Sequence, residues 1–214
     1  MLNGTPKILI ADDHPIFRSG VKQILSQVMK GISIEEAPDA REAIRLVRSN
    51  EWDVVLLDIA TLGKNGLQVL KDLRTLRPRL PILMLSTDPS DQLALRAIAN
   101  GASGYLHKDC DPTQLKTAVQ KMLEGGRYVS DSVAADLIFN LKPGSDEPLH
   151  RKLSDREFQI MLMIAGGKSL SKIAEELVLS VKTVSTYRAR LLQKMRMCSN
   201  ADVIKYAMKE RLVI

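Results

Sequence analysis

The chain is nearly without cysteine. Its two, Cys110 and Cys198, lie far apart in sequence, which argues against a disulfide framework and against a thiolate metal site. No apolar run approaches the ~20 residues that a membrane-spanning helix needs. The start, Met1-Leu2-Asn3-Gly4-Thr5-Pro6, lacks the basic and apolar regions of a secretory signal, so the expected compartment is the cytoplasm, with no membrane partner. No internal repeat or low-complexity tract is present. Most of the chain also lacks an excess of positive charge. Residues 1 to 148 carry 18 Lys and Arg against 19 Asp and Glu, whereas residues 149 to 214 carry 13 against 6. The last third holds all of the surplus, which points to a polyanion partner there, with nucleic acid the leading candidate.

What is present is organised around Trp52-Asp53-Val54-Val55-Leu56-Leu57-Asp58. Its middle is apolar and β-branched throughout, as a parallel strand buried on both faces reads, and it ends on a carboxylate. Lys7-Ile8-Leu9-Ile10-Ala11 runs likewise into Asp12-Asp13. Open α/β sheets work at the carboxyl ends of their strands, so neighbouring strands would gather Asp12, Asp13 and Asp58 at one rim. Like charges so close need a cation, and oxygen-only ligands suit Mg²⁺.

Helical spacing of Phe17, Val21, Ile24, Leu25 and Val28 after Pro15 predicts a helix, and Ile32 to Ala37 alternates as a more exposed strand. Asp39 caps a second helix. A third runs from Gly66 to Leu76, a fourth strand from Pro81 to Leu85, a fourth helix from Gln92 to Asn100, a fifth strand from Gly104 to His107 and a fifth helix over Leu115 to Leu123, begun by Asp111-Pro112. The alternation predicts an α/β, flavodoxin-like (βα)5 doubly wound parallel sheet over residues 1–126. Residues 127–148 read as a linker with a short helix around Val133 to Leu141. Residues 149–214 read as an all-α four-helix domain, its helices capped by Ser154, Ser169, Ser180 and Ser199 or Asn200.

Ser86 and Lys108 also follow strands directly, so the same rim collects three acids, a hydroxyl and a lysine. That set suits phosphoryl transfer to Asp58: the metal and Lys108 neutralise the transferring oxygens, and Ser86 hydrogen-bonds one of them. Asp12-Asp13-His14-Pro15, Asp58, Gly66, Leu85-Ser86 and Gly104-Tyr105-Leu106-His107-Lys108-Asp109 resemble the receiver domain of bacterial two-component response regulators. The resemblance implies Asp58 as phosphoacceptor for a histidine kinase, and Asp12 and Asp13 as the Mg²⁺ acids with the backbone carbonyl of Ala60. It further implies Lys108 and Ser86 as the phosphate-sensing pair and Tyr105 as the aromatic switch. The chain departs from the family at Thr61-Leu62, where many receivers have Met-Pro, and at Thr87; both bear on the lifetime of the phosphoryl group.

In the basic third, two helices joined by Val178-Leu179-Ser180 read as a helix-turn-helix whose second helix enters the major groove of DNA. Val184, Tyr187, Leu191 and Met195 share its inner face, and Lys182, Thr186, Ala189 and Gln193 the outer one, flanked by Thr183, Ser185 and Arg190. Lys182 and Thr186 are placed to meet base edges, and Thr183, Lys172, Arg188 and Arg190 to meet phosphates. The stretch Leu153 to Leu191 is similar to the LuxR-type DNA-binding domain, so the whole chain looks like a NarL/FixJ-type transcriptional regulator. That resemblance implies base contacts at Lys182, Ser185 and Thr186, and position 185 is frequently lysine in the family.

A single recognition helix reads too few bases, so a homodimer promoted by phosphorylation is expected, with Ala201, Val203, Ile204, Ala207 and Met208 offering an apolar surface on the last helix, core on one side and partner-facing on the other. Two other readings share the rim. A phosphatase passing through an aspartyl-phosphate needs an acid two residues after Asp58, where Ala60 stands. An RNA-binding antiterminator needs a different C-terminal helical module.

Overall fold

The computed structural model describes residues 5–59, 66–87, 91–130, 133–134, 148–210 and 212–213. The chain divides into two compact units, Met1–Phe139 and Asn140–Ile214. In the first, β1 (Lys7–Ala11), β2 (Ser33–Ala37), β3 (Val54–Asp58), β4 (Ile82–Ser86) and β5 (Gly104–His107) form one sheet. Its order is β2-β1-β3-β4-β5, with every neighbouring pair parallel. This is the flavodoxin-like order, and its switch point falls between β1 and β3. The strands are separated by α1 (Pro15–Val28), α2 (Ala40–Ser49), α3 (Gly66–Leu76) and α4 (Asp91–Ala99), and α5 (Pro112–Leu123) follows β5.

Burial follows the residue pattern. All five positions of β3 and of β4 are buried, whereas edge strand β2 alternates outward and inward. Ile8, Ile10, Val54, Leu56, Leu83, Leu85 and Leu106 pack on one sheet face against Val21 and Leu25 of α1 and Leu115, Ala118, Val119 and Met122 of α5. Removing this much apolar surface from water fixes the register, because a one-residue slip would turn every one of these side chains to the wrong face. The carboxylate of Asp39 accepts the Glu42 N–H, and Asp111 and Gln114 form a capping box at α5. Past α5 the chain returns to β5: Tyr128 pairs with Gly104 in a parallel bridge, Tyr105 N–H donates to Tyr128 O at 2.9 Å, and Tyr128 N–H to Ser103 O at 3.2 Å.

The second unit holds a 3-10 turn (Leu149–Lys152), α6 (Asp155–Ala165), α7 (Leu170–Glu176), α8 (Val181–Met195) and α9 (Asn200–Lys209). Hydroxyls of Ser154, Ser169, Ser180 and Ser199 accept the first-turn N–H groups, so Ser199 rather than Asn200 is the cap of α9. The 3-10 turn was not expected; it buries His150, whose Nδ1 lies 2.9 Å from the Tyr206 hydroxyl. β4 starts one residue later than expected, at Ile82, and α4 one residue earlier, at Asp91, while α5 begins at Pro112 behind its cap Asp111, as expected. The short helix expected around Val133 to Leu141 lies outside the described residues except for 133–134, and so do residues 135–147 of the expected linker. No helix among the described residues is long and apolar enough to cross a membrane.

One backbone feature of the helix-turn-helix is strained. Val178, in the turn between α7 and α8, has φ 52° and is 75% exposed. A β-branched side chain in this left-handed region crowds its own backbone without any packing gain. Val178→Asn, which suits that region, is expected to stabilise the second unit by about 1 kcal/mol. Urea unfolding followed through NMR signals of α8 checks this; an unchanged midpoint would show that the turn carries no strain.

Candidate functional site

The rim is built by strand ends. Asp58 closes β3, Asp12 follows β1, Ser86 closes β4, and the side chains of all three are fully buried. Lys108 follows β5, and its N–H donates to Ser86 O at 2.8 Å, which aims the side chain across the sheet. Its Nζ reaches Asp12 Oδ2 at 2.6 Å and Asp58 Oδ1 at 3.1 Å, with the lysine side chain 7% exposed. The ammonium also sits 4.5 Å from the centre of the Phe17 ring. Arg18 donates to the Asp12 carbonyl at 2.7 Å and to Glu36 at 3.1 Å. Burial would raise the Glu36 carboxyl, but hydrogen bonds from Lys22 and Arg18 outweigh it and hold the group below its ordinary value. Neither Phe17 nor Arg18 was anticipated as a support of the rim.

Asp12, Asp13, His14 and Asp58 each offer one ligand atom within 4.8 Å of the others. Three carboxylates facing one ammonium leave negative charge in excess, so the residues fit a hard divalent cation such as Mg²⁺. Ala60, whose carbonyl was expected to complete the ligand set, lies outside the described residues, as do Thr61 and Leu62; Thr87 is exposed just past β4. Gly66 shows how closely the chain passes the acceptor strand: a Cβ there would stand 2.6 Å from Asp58 O and from Ile59 Cα. Both are backbone atoms that cannot step aside, so the glycine is required. Tyr105 is buried in β5 opposite Met84.

In the second unit, α7 and α8 form the expected helix-turn-helix. Val184, Leu191 and Met195 are buried and Tyr187 half-buried, while Lys182, Ser185, Thr186, Ala189 and Arg190 are exposed together on the outer side of α8. The remaining expected phosphate contacts are engaged within the unit. The Thr183 hydroxyl is 2.8 Å from that of the cap Ser180, Arg188 Nε donates to Asn200 Oδ1 at 2.6 Å, and Lys172 pairs with Glu175 at 3.0 Å.

With this geometry in view, the family described as "Response regulator receiver domain" matches residues 8–120, more than half of the chain. The chain is a response regulator. Over residues 151–207 it also matches "Bacterial regulatory proteins, luxR family", so the C-terminal helices are the LuxR-type DNA-binding module and not an antiterminator's. The regulator is 32% identical over 207 residues to the response regulator UvrY of Escherichia coli K12, covering 96% of this chain and 94% of that one. It is 31% identical to the response regulator GacA of Pseudomonas protegens, covering 97% of each. Among solved structures, RcsB of Salmonella enterica serovar Typhimurium, bound to a promoter in the presence of a phosphomimetic, has the same fold at 22% identity and a TM-score of 0.65, over 95% of this chain and 98% of that one. The regulator is thus a two-component transcription regulator of the NarL/FixJ type.

Proposed function

We propose that the regulator accepts a phosphoryl group on Asp58 from the phosphohistidine of a histidine kinase, and that the phosphorylated form dimerises and binds promoter duplex through α8. The carrying observation is Lys108, a buried cation shared between Asp12 and Asp58. Transfer breaks the donor's phosphorus–nitrogen bond and joins phosphorus to an Asp58 carboxylate oxygen. Asp12 and Asp13, with the Ala60 carbonyl, hold Mg²⁺, which when bound supplies positive charge to the transferring oxygens. Lys108, no longer paired with a free Asp58 carboxylate, follows the negative charge to the phosphoryl oxygens, and the Ser86 hydroxyl donates to another. These movements pull on the ends of β4 and β5 and shift Tyr105, which biases the unit between two surface arrangements.

On DNA, Lys182, Ser185 and Thr186 face base edges, and Ala189 is small enough to let α8 approach closely. Arg190 meets phosphate directly, while Thr183, Lys172 and Arg188 do so from positions already fixed by neighbours. The exposed Met208 and Ala201 of α9 are the surface offered to a second copy.

Incubation with a small phosphodonor and Mg²⁺ is expected to label the parent chain, double its sedimenting mass and tighten promoter binding at fixed salt. Asp58→Ala is expected to do none of these. Equal labelling of both would place the acceptor elsewhere, and labelling without a change in mass or DNA affinity would remove phosphorylation from control of the output.

A further inference from the structure

His14 stands among the three acids and has no part in the chemistry given above. Resting on the cation site of the proposed function, we propose that His14 sets which metal the rim prefers. Its Nδ1 adds a nitrogen donor to an otherwise all-oxygen site, so that Co²⁺, Zn²⁺ and related first-row cations are held more tightly than Mg²⁺.

The ring is placed for this. His14 occupies the cap position of α1, yet its side chain makes no capping hydrogen bond. Instead Nδ1 lies 3.0 Å from Asp13 Oδ1 and 3.2 Å from Asp12 Oδ1. Two restraints hold the root of the side chain. Pro15 keeps the backbone of His14 extended, at φ −87° and ψ 106°, and the His14 N–H is tied to Asp12 Oδ1 at 2.7 Å. Donors on one ion at about 2.1–2.2 Å stand no more than about 4.3 Å apart. The four ligand atoms already lie within 4.8 Å of one another, so closing on an ion takes small side-chain rotations. The ring is 60% exposed, which leaves it free to turn and leaves ions an open approach.

Nitrogen discriminates where oxygen does not. Mg²⁺ holds its waters and gains little from an imidazole, whereas affinity for nitrogen donors rises along the later first-row cations. A ring that only hydrogen-bonds the carboxylates would support every cation equally, and that difference is measurable. The full-length chain and His14→Asn are titrated with Co²⁺, read by its visible absorption, and separately with Mg²⁺. The variant is expected to lose about tenfold or more in Co²⁺ affinity and less than about twofold in Mg²⁺ affinity. With Zn²⁺, the imidazole ¹⁵N resonance of His14, one of three histidines, is expected to move to the metal-bound position. Equal losses for Co²⁺ and Mg²⁺, no loss for Co²⁺, or an unmoved His14 nitrogen would each overturn the proposal. The phosphoacceptor reading fails separately: a parent chain that keeps this selectivity but takes no label on Asp58 sinks that reading and leaves this one standing.

Discussion

In buffer without divalent cations, Lys108→Ala is expected to destabilise the first unit by about 3–5 kcal/mol at neutral pH. The substitution removes the ammonium that, among the described residues, bridges Asp12 and Asp58, whose side chains are fully buried. Two buried carboxylates then lose the ammonium they share, a far larger penalty than the loss of a surface ion pair. Millimolar Mg²⁺ is expected to restore most of the stability, because an ion bound only by the folded state shifts unfolding by mass action, and the variant has more to gain from it than the parent. The check is urea unfolding of both proteins with and without MgCl₂, followed through Trp52. Equal stability without the ion, or a variant that Mg²⁺ does not rescue, would mean that Lys108 is not the counter-charge of the rim. The variant is also expected to take label on Asp58 without tightening its promoter binding.

Glu157→Ala is expected to destabilise the second unit by about 2–3 kcal/mol, a large loss for one polar side chain. Its carboxylate is 4% exposed and accepts from the Ser154 N–H at 2.8 Å, the Ser154 hydroxyl at 2.9 Å and Lys194 Nζ at 2.6 Å. Three donors thus converge on one oxygen that both caps α6 and ties it to α8. The lower figure follows from Lys194, which is 43% exposed and can return to water. Burial would raise this carboxyl, but the hydrogen bonds from Lys194 and Ser154 hold it below its ordinary value near 4.5. A group that titrates lower folded than unfolded stabilises at every pH above its unfolded value, and that contribution fades as the pH falls through the folded one. Below about pH 4.5, stability of the parent unit should therefore fall more steeply than that of Glu157→Gln. Parallel acid-unfolding curves would exclude Glu157 as the source.

The two rim carboxylates of the first prediction were visible in the sequence; the role of Glu157 was not. Asp58 could be placed because an apolar, β-branched run ending in an acid has one reading in a parallel sheet, and Asp12, Ser86 and Lys108 followed by the same rule. The caps at Asp39, Ser154, Ser169 and Ser180 were legible because a helix start is chemistry within four residues. What escaped was contact across distance. The bond from Lys108 to Asp12 joins residues 96 apart, and the support from Phe17 and Arg18 depends on how α1 packs, which periodicity does not specify. Glu157 was read only as part of a family pattern, since Lys194 meets it from a helix 37 residues on. The polar stripe of α8 was correctly read as outward, but spacing could not reveal that Arg188 is already held by Asn200. In the same way, Val178 gave no sign of its positive φ, because valine is an unfavourable residue for that turn.

The return of Tyr128 to β5 bears on how two copies can meet. A sheet margin with open amides and carbonyls invites a neighbour to extend it. Here the Tyr105 amide is already taken on one margin by Tyr128, and the opposite margin, β2, exposes Glu35, whose charge repels a like strand. Both margins thus disfavour self-association by lengthening the sheet, which leaves helical surfaces as the ground on which a reversible pair can form.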